Sequence, residues 1–580
     1  MATAADEIGQ ITPNSENNLT ALSLKITRKN QDRPWKLRFI YLQCYFVSVA
    51  SILGTGILGL PVTIAHSGLQ PFLVSFVIGF FMQALLIYLF IDLLQRCQVA
   101  QLETFKLSGT ESILMQDVGD RDLVLNTAEE EEETEDADRG LLSKNKGENP
   151  EEECVPNLHI LGVLFLSKYM SYAFNLLLVF QFIAIGISYV LAGSESYAEL
   201  LHIRRSILDL ATYVYVIPFF TWILALGILV AQVVIQPVTS LLTLLKGTLL
   251  IVTVAVTFVV GSEVKQEISN DFSYVGKPFL MGTVALGGVV NVMPFLFSEI
   301  SHNKSQIMWF RRAVFGGLAT CAVLNILWCW AVLKIVPQMS VRKVLEDEIL
   351  NNSMTFSQVT VPVYTFIYSN ISLEESEKLG EIATIPLTKI ITEHHHQFAW
   401  VAWFTEIFIA ISITVSFLVL GSTIKHTFEG WVNSLWSRKL TELSDNCEKA
   451  LPQLQKCCTL KSVVHGCTCL VAFGIIFIVA ESDPKGFVVM LDKVASFTLN
   501  LEAGLFVFLM LRKSRSEPFI HFSVPLPVSE RLFTLHWILP VYFLFAVGYD
   551  IFQSMGEVAE SWIQTQSNTS RGEVQLIQEP

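Results

Sequence analysis

Between Phe39 and Tyr549 the chain returns repeatedly to apolar runs of membrane-spanning length, about 20 residues each. This recurrence, more than any single motif, limits what the chain can become. In lipid, every backbone amide must be paired within the protein, so such runs fold as helices. We count eleven, near 39–65, 71–96, 158–192, 207–231, 238–261, 279–298, 312–336, 397–421, 462–480, 486–511 and 532–555. A hydrophobic share of 52% and a mean hydropathy of +0.49 agree with a polytopic all-α integral membrane protein.

Charge orients the spans. Lys25, Arg28, Lys29, Arg33, Lys36 and Arg38 precede or open the first one, and further basic groups stand at Lys304, Arg311 and Arg312, at Arg438 and Lys439, and at Arg512, Lys513 and Arg515. Eleven spans put all of these on one face, which the positive-inside rule makes cytosolic. The sequons at Asn351, Asn370 and Asn568 then fall on the opposite face as glycosylation candidates, while the one at Asn18 lies in the cytosolic tail. The stretch from Met1 to Lys36 lacks the apolar core of a cleaved signal peptide, so the first span is retained. The expected organisation is a cytosolic tail 1–38, spans one and two in 39–96, a cytosolic loop 97–157, spans three to seven in 158–337, a luminal or extracellular loop 338–396, spans eight to eleven in 397–555, and a tail 556–580.

The net charge of −14 is concentrated in one place. From Cys97 to Pro156 there are seventeen acidic and five basic residues, a net −12, including Glu129 to Glu133 and Glu151 to Glu153. Such a run cannot bury a core and reads as a disordered linker, leaving the membrane body near neutral. Nothing here points to nucleic acid as a partner. Within the linker, Asp138, Leu141 and Leu142 have the form of an acidic dileucine adaptor signal, or of a chance leucine pair.

None of the ten cysteines falls in an expected luminal loop, which argues against a disulfide framework. Cys457, Cys458, Cys467, Cys469 and His465 lack the paired hooks of a zinc site and read as juxtamembrane thiols, so no metal and no cofactor is expected. His394, His395 and His396 read as a solvated tract before span eight.

Span one carries Gly54-Thr55-Gly56-Ile57-Leu58-Gly59-Leu60-Pro61, and span six carries Leu286-Gly287-Gly288-Val289-Val290-Asn291-Val292-Met293-Pro294. Glycines in membrane helices serve close packing, or they mark a discontinuous helix whose freed backbone lines a site. The two clusters stand five spans apart. Transporters built from two inverted five-helix repeats place their broken helices at those positions, so the pattern predicts a midplane site between spans one and six.

The first span, with Ala65-His66-Ser67-Gly68 behind it, resembles the signature of the amino acid and auxin permease family, within the amino acid, polyamine and organocation superfamily. Span six, followed by Glu299 and Asn303, is similar to that family's sixth helix. The likeness spans about Trp35 to Tyr549, with the acidic loop as an insertion. It implies a leucine-transporter-like fold, a 5+5 inverted repeat plus one helix. It also implies transport of amino acids or related zwitterions driven by sodium or protons. On that basis the substrate carboxylate is expected on the backbone of Gly54, Thr55 and Gly56, the ammonium near carbonyls around Ser51 and Gly287-Gly288, and the side chain near Asn291. Ala50 stands where many family members carry an asparagine tied to sodium binding, which shifts the expected driving ion toward the proton.

Lys246 lies about eight residues, or roughly 12 Å, inside span five. A lysine at that depth costs on the order of 3 kcal/mol, so it should face the bundle interior and find a partner. Some proton-coupled relatives place a fifth-helix lysine where a sodium ion would sit, beside helices one and eight. The resemblance makes Lys246 the proton-coupling candidate, with Ser412 or Thr414 nearby; a structural lysine capped by carbonyls is the alternative. Glu406 and Glu502 are further candidates for that role, whereas Lys168 and Asp92 belong near the cytosolic interface.

The expected function is a proton-coupled secondary transporter in an endolysosomal or plasma membrane. The competing class is an amino acid receptor or trafficking regulator with the same fold. No nucleophile and base pair within the spans suggests an enzyme.

Overall fold

The computed structural model describes residues 34–124, 156–201, 216–230, 232–264, 266–339, 341–344, 363–366, 371–444, 451–482 and 490–576. The principal helices are α1 (Pro34–Thr63), α2 (Leu69–Val124), α3 (Leu158–Phe165), α4 (Lys168–Leu200), α5 (Val216–Val230), α6 (Gln232–Val264), α7 (Gly276–Gly287), α8 (Val289–Phe297) and α9 (Lys304–Leu333). They are followed by α10 (Leu373–Leu379), α11 (Thr384–His394), α12 (Ala399–Ser444) and α13 (Leu451–Ser482). The next run, α14, joins four segments, Met490–Ala495, Ser496–Leu501, Glu502–Val507 and Phe508–Lys513, of which the first and third are π-helical. The last helix is α15 (Ile538–Leu576). A short antiparallel ladder between α9 and α10 pairs β1 (Val341–Val344) with β2 (Val363–Phe366), Val341 opposite Phe366.

Ten of these stretches are long and apolar enough to cross a membrane. That count is of the described residues; of the fourth expected span, 207–231, they include only α5, with 15 residues. Its terminal carbonyls are met by a charge from elsewhere: Lys425 Nζ donates to Ile228 and Leu229 oxygens, both at 3.4 Å. An amine satisfies the orphan acceptors of a helix C-terminus.

The bundle has a clear inside. The spanning windows of α1 and of the α7–α8 pair are 88% and 83% buried, against 28% for α13 and 33% for α15. Helix α1 packs against α6, α7, α9 and α12 and forms the centre, while α13 and α15 lie at the rim. Trp328, Phe72, Phe76, Phe297, Phe310 and Phe408 fill the spaces between the inner helices.

Several expected boundaries move. Residues 97–124, read as the start of a linker, continue α2 as helix; this segment holds no proline, and Gln, Leu, Glu and Lys favour helix. The expected loop 338–396 contains α10, packed on α1, and α11, packed on α12. The expected tail from 556 continues α15 to Leu576, with Asn568 on its backbone. Asp138, Leu141, Leu142, Asn351 and Asn370 lie outside the described residues.

The end of α1 is fastened by side chains. Gln338 Nε2 donates to Ala65 O at 2.9 Å and to Ser269 O at 3.1 Å, while its Oε1 accepts from Ser269 N at 2.7 Å. Gly68 turns the chain into α2 with φ +76, and Ser269 O occupies the place where its Cβ would stand, so only glycine fits. Further along α2, Asp92 is buried and pairs with Arg96 at 3.1 Å and Arg515 at 3.3 Å; Val528 N donates to its other oxygen. This clamp joins α2 to the connection between α14 and α15.

Candidate functional site

The expected break in span one is corrected by the structure: α1 is one continuous helix through Gly54, Thr55, Gly56 and Pro61. Proline at 61 removes the hydrogen bond to the Ile57 carbonyl, four residues back. Trp328 Nε1 donates to that carbonyl at 2.9 Å, so the freed acceptor is met from α9 and the helix need not unwind. The backbone amides of Gly54, Thr55 and Gly56 therefore stay within the helix, which removes the expected open backbone for a substrate carboxylate. Here the glycines serve close approach. A Cβ on Gly54 would collide with Ser416 Oγ and come within 2.5 Å of the Tyr189 hydroxyl; one on Gly56 would meet Asn325 Oδ1 at 2.7 Å.

Span six is interrupted by a single residue. Gly288 separates α7 from α8 while keeping right-handed helical angles, φ −56 and ψ −20. The discontinuity is thus a bend. Ser51 Oγ donates to the Gly288 carbonyl at 3.1 Å, tying the bend to α1.

Lys246 is fully buried and reaches the two helices its resemblance suggested. Its Nζ donates to Ala50 O at 3.2 Å on α1, and to Ser412 O at 3.3 Å and Ser416 Oγ at 2.9 Å on α12. Three ammonium protons find three neutral acceptors, and no described carboxylate forms an ion pair with this amine. Of the two expected neighbours, Ser412 meets Lys246 through its carbonyl and Thr414 does not, while Ser416 is a partner that the sequence reading did not name. Thr414 Oγ1 bonds Ala410 O at 2.8 Å and the Tyr197 hydroxyl at 2.9 Å, away from Lys246.

Beside this amine lies a small cavity lined by Ser51, Tyr189, Gly288, Asn291, Ser416 and Thr423 among others. Three of the expected substrate residues, Ser51, Gly288 and Asn291, thus share one chamber. Tyr189 of α4 and Ser416 of α12 both line this chamber, and Ser416 receives Lys246, so the cationic group bears on the chamber through the Ser416 hydroxyl. At the other side, Asn291 links the chamber to a buried carboxylate. With its amide nitrogen toward Glu502, that nitrogen donates to Oε2 at 3.2 Å and the amide oxygen accepts from Gln181 Nε2 at 2.6 Å. Gln181 Nε2 also donates to Glu502 Oε2 at 2.9 Å.

No family model and no curated protein matches the chain. Among solved structures it is similar to a manganese transporter of Eremococcus coleocola, crystallised with an aromatic bis-isothiourea substituted compound, at 10% identity over 92% of each chain and a TM-score of 0.46. A likeness at that level says nothing of this chain's substrate.

Not every expected residue joins the chamber. Gly56 faces Asn325 and Ala285, and Gly287 lines a second cavity. Glu406 is half-buried on α12, and Lys168 is exposed at the first turn of α4. The triplet His394, His395 and His396 forms the junction of α11 and α12. Sequence reading missed Tyr189, Ser416, Gln181 and Asn325. Polar residues inside apolar runs were the available signal for Gln181 and Asn325, since each must be met or left orphaned in lipid. Both amide atoms of Asn325 are buried with no hydrogen-bond partner.

Proposed function

We propose that the chain is a secondary active transporter of amino acids or related small zwitterions, working by alternating access around the chamber between α1, α4, α8 and α12. The observation that carries this reading is that one chamber is lined by Tyr189 and by Ser416, which receives Lys246, together with Ser51, Gly288 and Asn291. A zwitterion needs a positive or donor-rich end and an acceptor-rich end. In this arrangement the carboxylate sits toward Tyr189 and Ser416 rather than on the α1 backbone, and the ammonium toward Ser51 and Gly288.

The driving ion in this reading is the proton, carried by Lys246. An ammonium group at full burial is held only by neutral oxygens, so loss of one proton leaves two donors for the three acceptors on Ala50, Ser412 and Ser416 and weakens the tie between α1 and α12. Such a loosening is the kind of bistable contact that rocking between two bundles requires. A 5+5 inverted repeat plus one helix, membership of the amino acid and auxin permease family, and a cytosolic N-terminus complete the proposal. The membrane is endolysosomal or plasma membrane.

Uptake of a panel of labelled amino acids into proteoliposomes tests it. Saturable uptake that follows an imposed pH gradient supports transport; saturable binding with no uptake of any panel member supports the receptor reading instead.

A further inference from the structure

A second, small cavity lies between α2, α7 and α14 and is lined by Gln83, Thr283, Gly287, Asn500 and Glu502 among others. We propose that this cavity is a binding site for one monovalent alkali cation, with Glu502 as its charged ligand. The inference goes beyond transport and stands whether or not uptake is found.

The argument begins with charge. Glu502 is 1% exposed, in the middle of a span, and its described contacts are the neutral amides of Gln181 and Asn291. No described lysine, arginine or histidine forms an ion pair with it. An uncompensated buried carboxylate is strongly unfavourable, so a positive charge belongs beside it.

The cavity then supplies the oxygens that a hard cation takes. Asn500 is 1% exposed; its nitrogen is used, donating to Thr283 Oγ1 at 2.8 Å and Ser496 O at 2.9 Å, while its Oδ1 has no partner. Gln83 is 2% exposed, and its buried Nε2 has no partner either, so nothing fixes which end of this amide faces the cavity. One unmet acceptor, Asn500 Oδ1, thus belongs to a residue lining the cavity with the carboxylate, and Gln83 can add a second oxygen by turning its amide oxygen inward. One negative charge favours a monovalent ion over a divalent one, which would leave excess charge in a medium of low dielectric constant.

The winding of α14 is what brings these ligands together. Residues two apart on an α-helix do not share a face. The helix changes from α to π at Glu502, and with that widened turn both Asn500 and Glu502 line one cavity. Short π segments of this kind recur at functional sites. The site is separate from Lys246, whose bonds run to α1 and α12.

Equilibrium binding of ²²Na⁺ to the purified full-length protein in nanodiscs tests the proposal, with unlabelled sodium, potassium and choline as competitors. Wild type should bind sodium saturably, displaced by alkali ions and not by choline. Glu502→Gln should weaken binding at least tenfold, and Gln83→Leu, which leaves the carboxylate in place, several-fold. Lys168→Ala, at an exposed position that lines neither cavity, should bind as wild type does. Absence of saturable sodium binding by wild type would overturn the proposal, as would equal binding by well-folded Glu502→Gln and Gln83→Leu. So would a protonated-carboxyl infrared band in wild type at saturating sodium that Glu502→Gln removes, because the charge would then be a proton.

Discussion

Trp328 donates its indole N–H to the Ile57 carbonyl at 2.9 Å, the acceptor that Pro61 leaves without a helical partner. A single tertiary hydrogen bond thus keeps α1 continuous where its sequence predicts a break. Removing the donor should leave a buried carbonyl unmet, at a cost of about 1–3 kcal/mol. Trp328→Phe should therefore lower the thermal midpoint by several degrees, and adding Pro61→Ala, which restores a backbone donor, should recover part of the loss. Differential scanning fluorimetry on both variants reads this out. An unchanged midpoint for Trp328→Phe would remove the indole bond from the account.

The glycines of α1 and of the α7–α8 bend should respond differently to a methyl group. Gly54→Ala drives a Cβ into Ser416 and Tyr189 and so disturbs the contacts of Lys246. Gly287→Ala meets only Leu499, at 3.8 Å, an ordinary contact. The first variant should lose at least tenfold in substrate binding, and the second should stay within about twofold. Equal behaviour of the two would argue that the chamber beside Ser416 is not where substrate sits.

The Asp92 clamp gives a stability prediction. Asp92→Asn leaves Arg96 and Arg515 facing a neutral group, and breaking a buried ion pair costs on the order of 3–5 kcal/mol. Glu530, whose side chain is largely exposed, pairs with the same Arg515, and Glu530→Gln should cost less than about 1 kcal/mol. Thermal unfolding of the two variants separates a clamp from a decorative charge cluster.

His302, in the connection between α8 and α9, carries a pH dependence. Its Nδ1 lies 2.9 Å from Gln98 Oε1 and its Nε2 is buried without a partner; burial lowers its pKa below the usual 6.5. Below pH 6.5 the unfolded chain takes up a proton that the folded one resists. The contribution is present above that pH and is lost as pH falls through the folded pKa. Wild type should lose thermal stability between about pH 7 and pH 5 by more than His302→Gln does. Parallel curves for the two would exclude His302 as the cause.

Legibility in the sequence followed the range of the interaction. The apolar runs and the buried Lys246 could be read directly, because lipid penalises any unpaired polar group and so forces helices and partners. The continuity of α1 could not, since the residue that rescues the Ile57 carbonyl stands 271 positions away. Ser416 was invisible for a related reason: serines in helices commonly bond their own backbone, as Ser416 does with Ser412 O at 2.9 Å, and nothing local distinguishes the one that also receives a lysine. The α14 site depends on a π turn at Glu502, a change of winding that periodicity alone does not reveal.

The central claim is that Lys246, held by Ala50 and Ser416, couples substrate movement to the proton. Its most direct test is amino acid uptake into proteoliposomes under an imposed pH gradient, comparing wild type with Lys246→Ala. The account predicts that wild type concentrates substrate against its gradient, while the variant still binds and exchanges substrate but no longer accumulates it at any pH difference. A variant that concentrates substrate with unchanged pH dependence would contradict it.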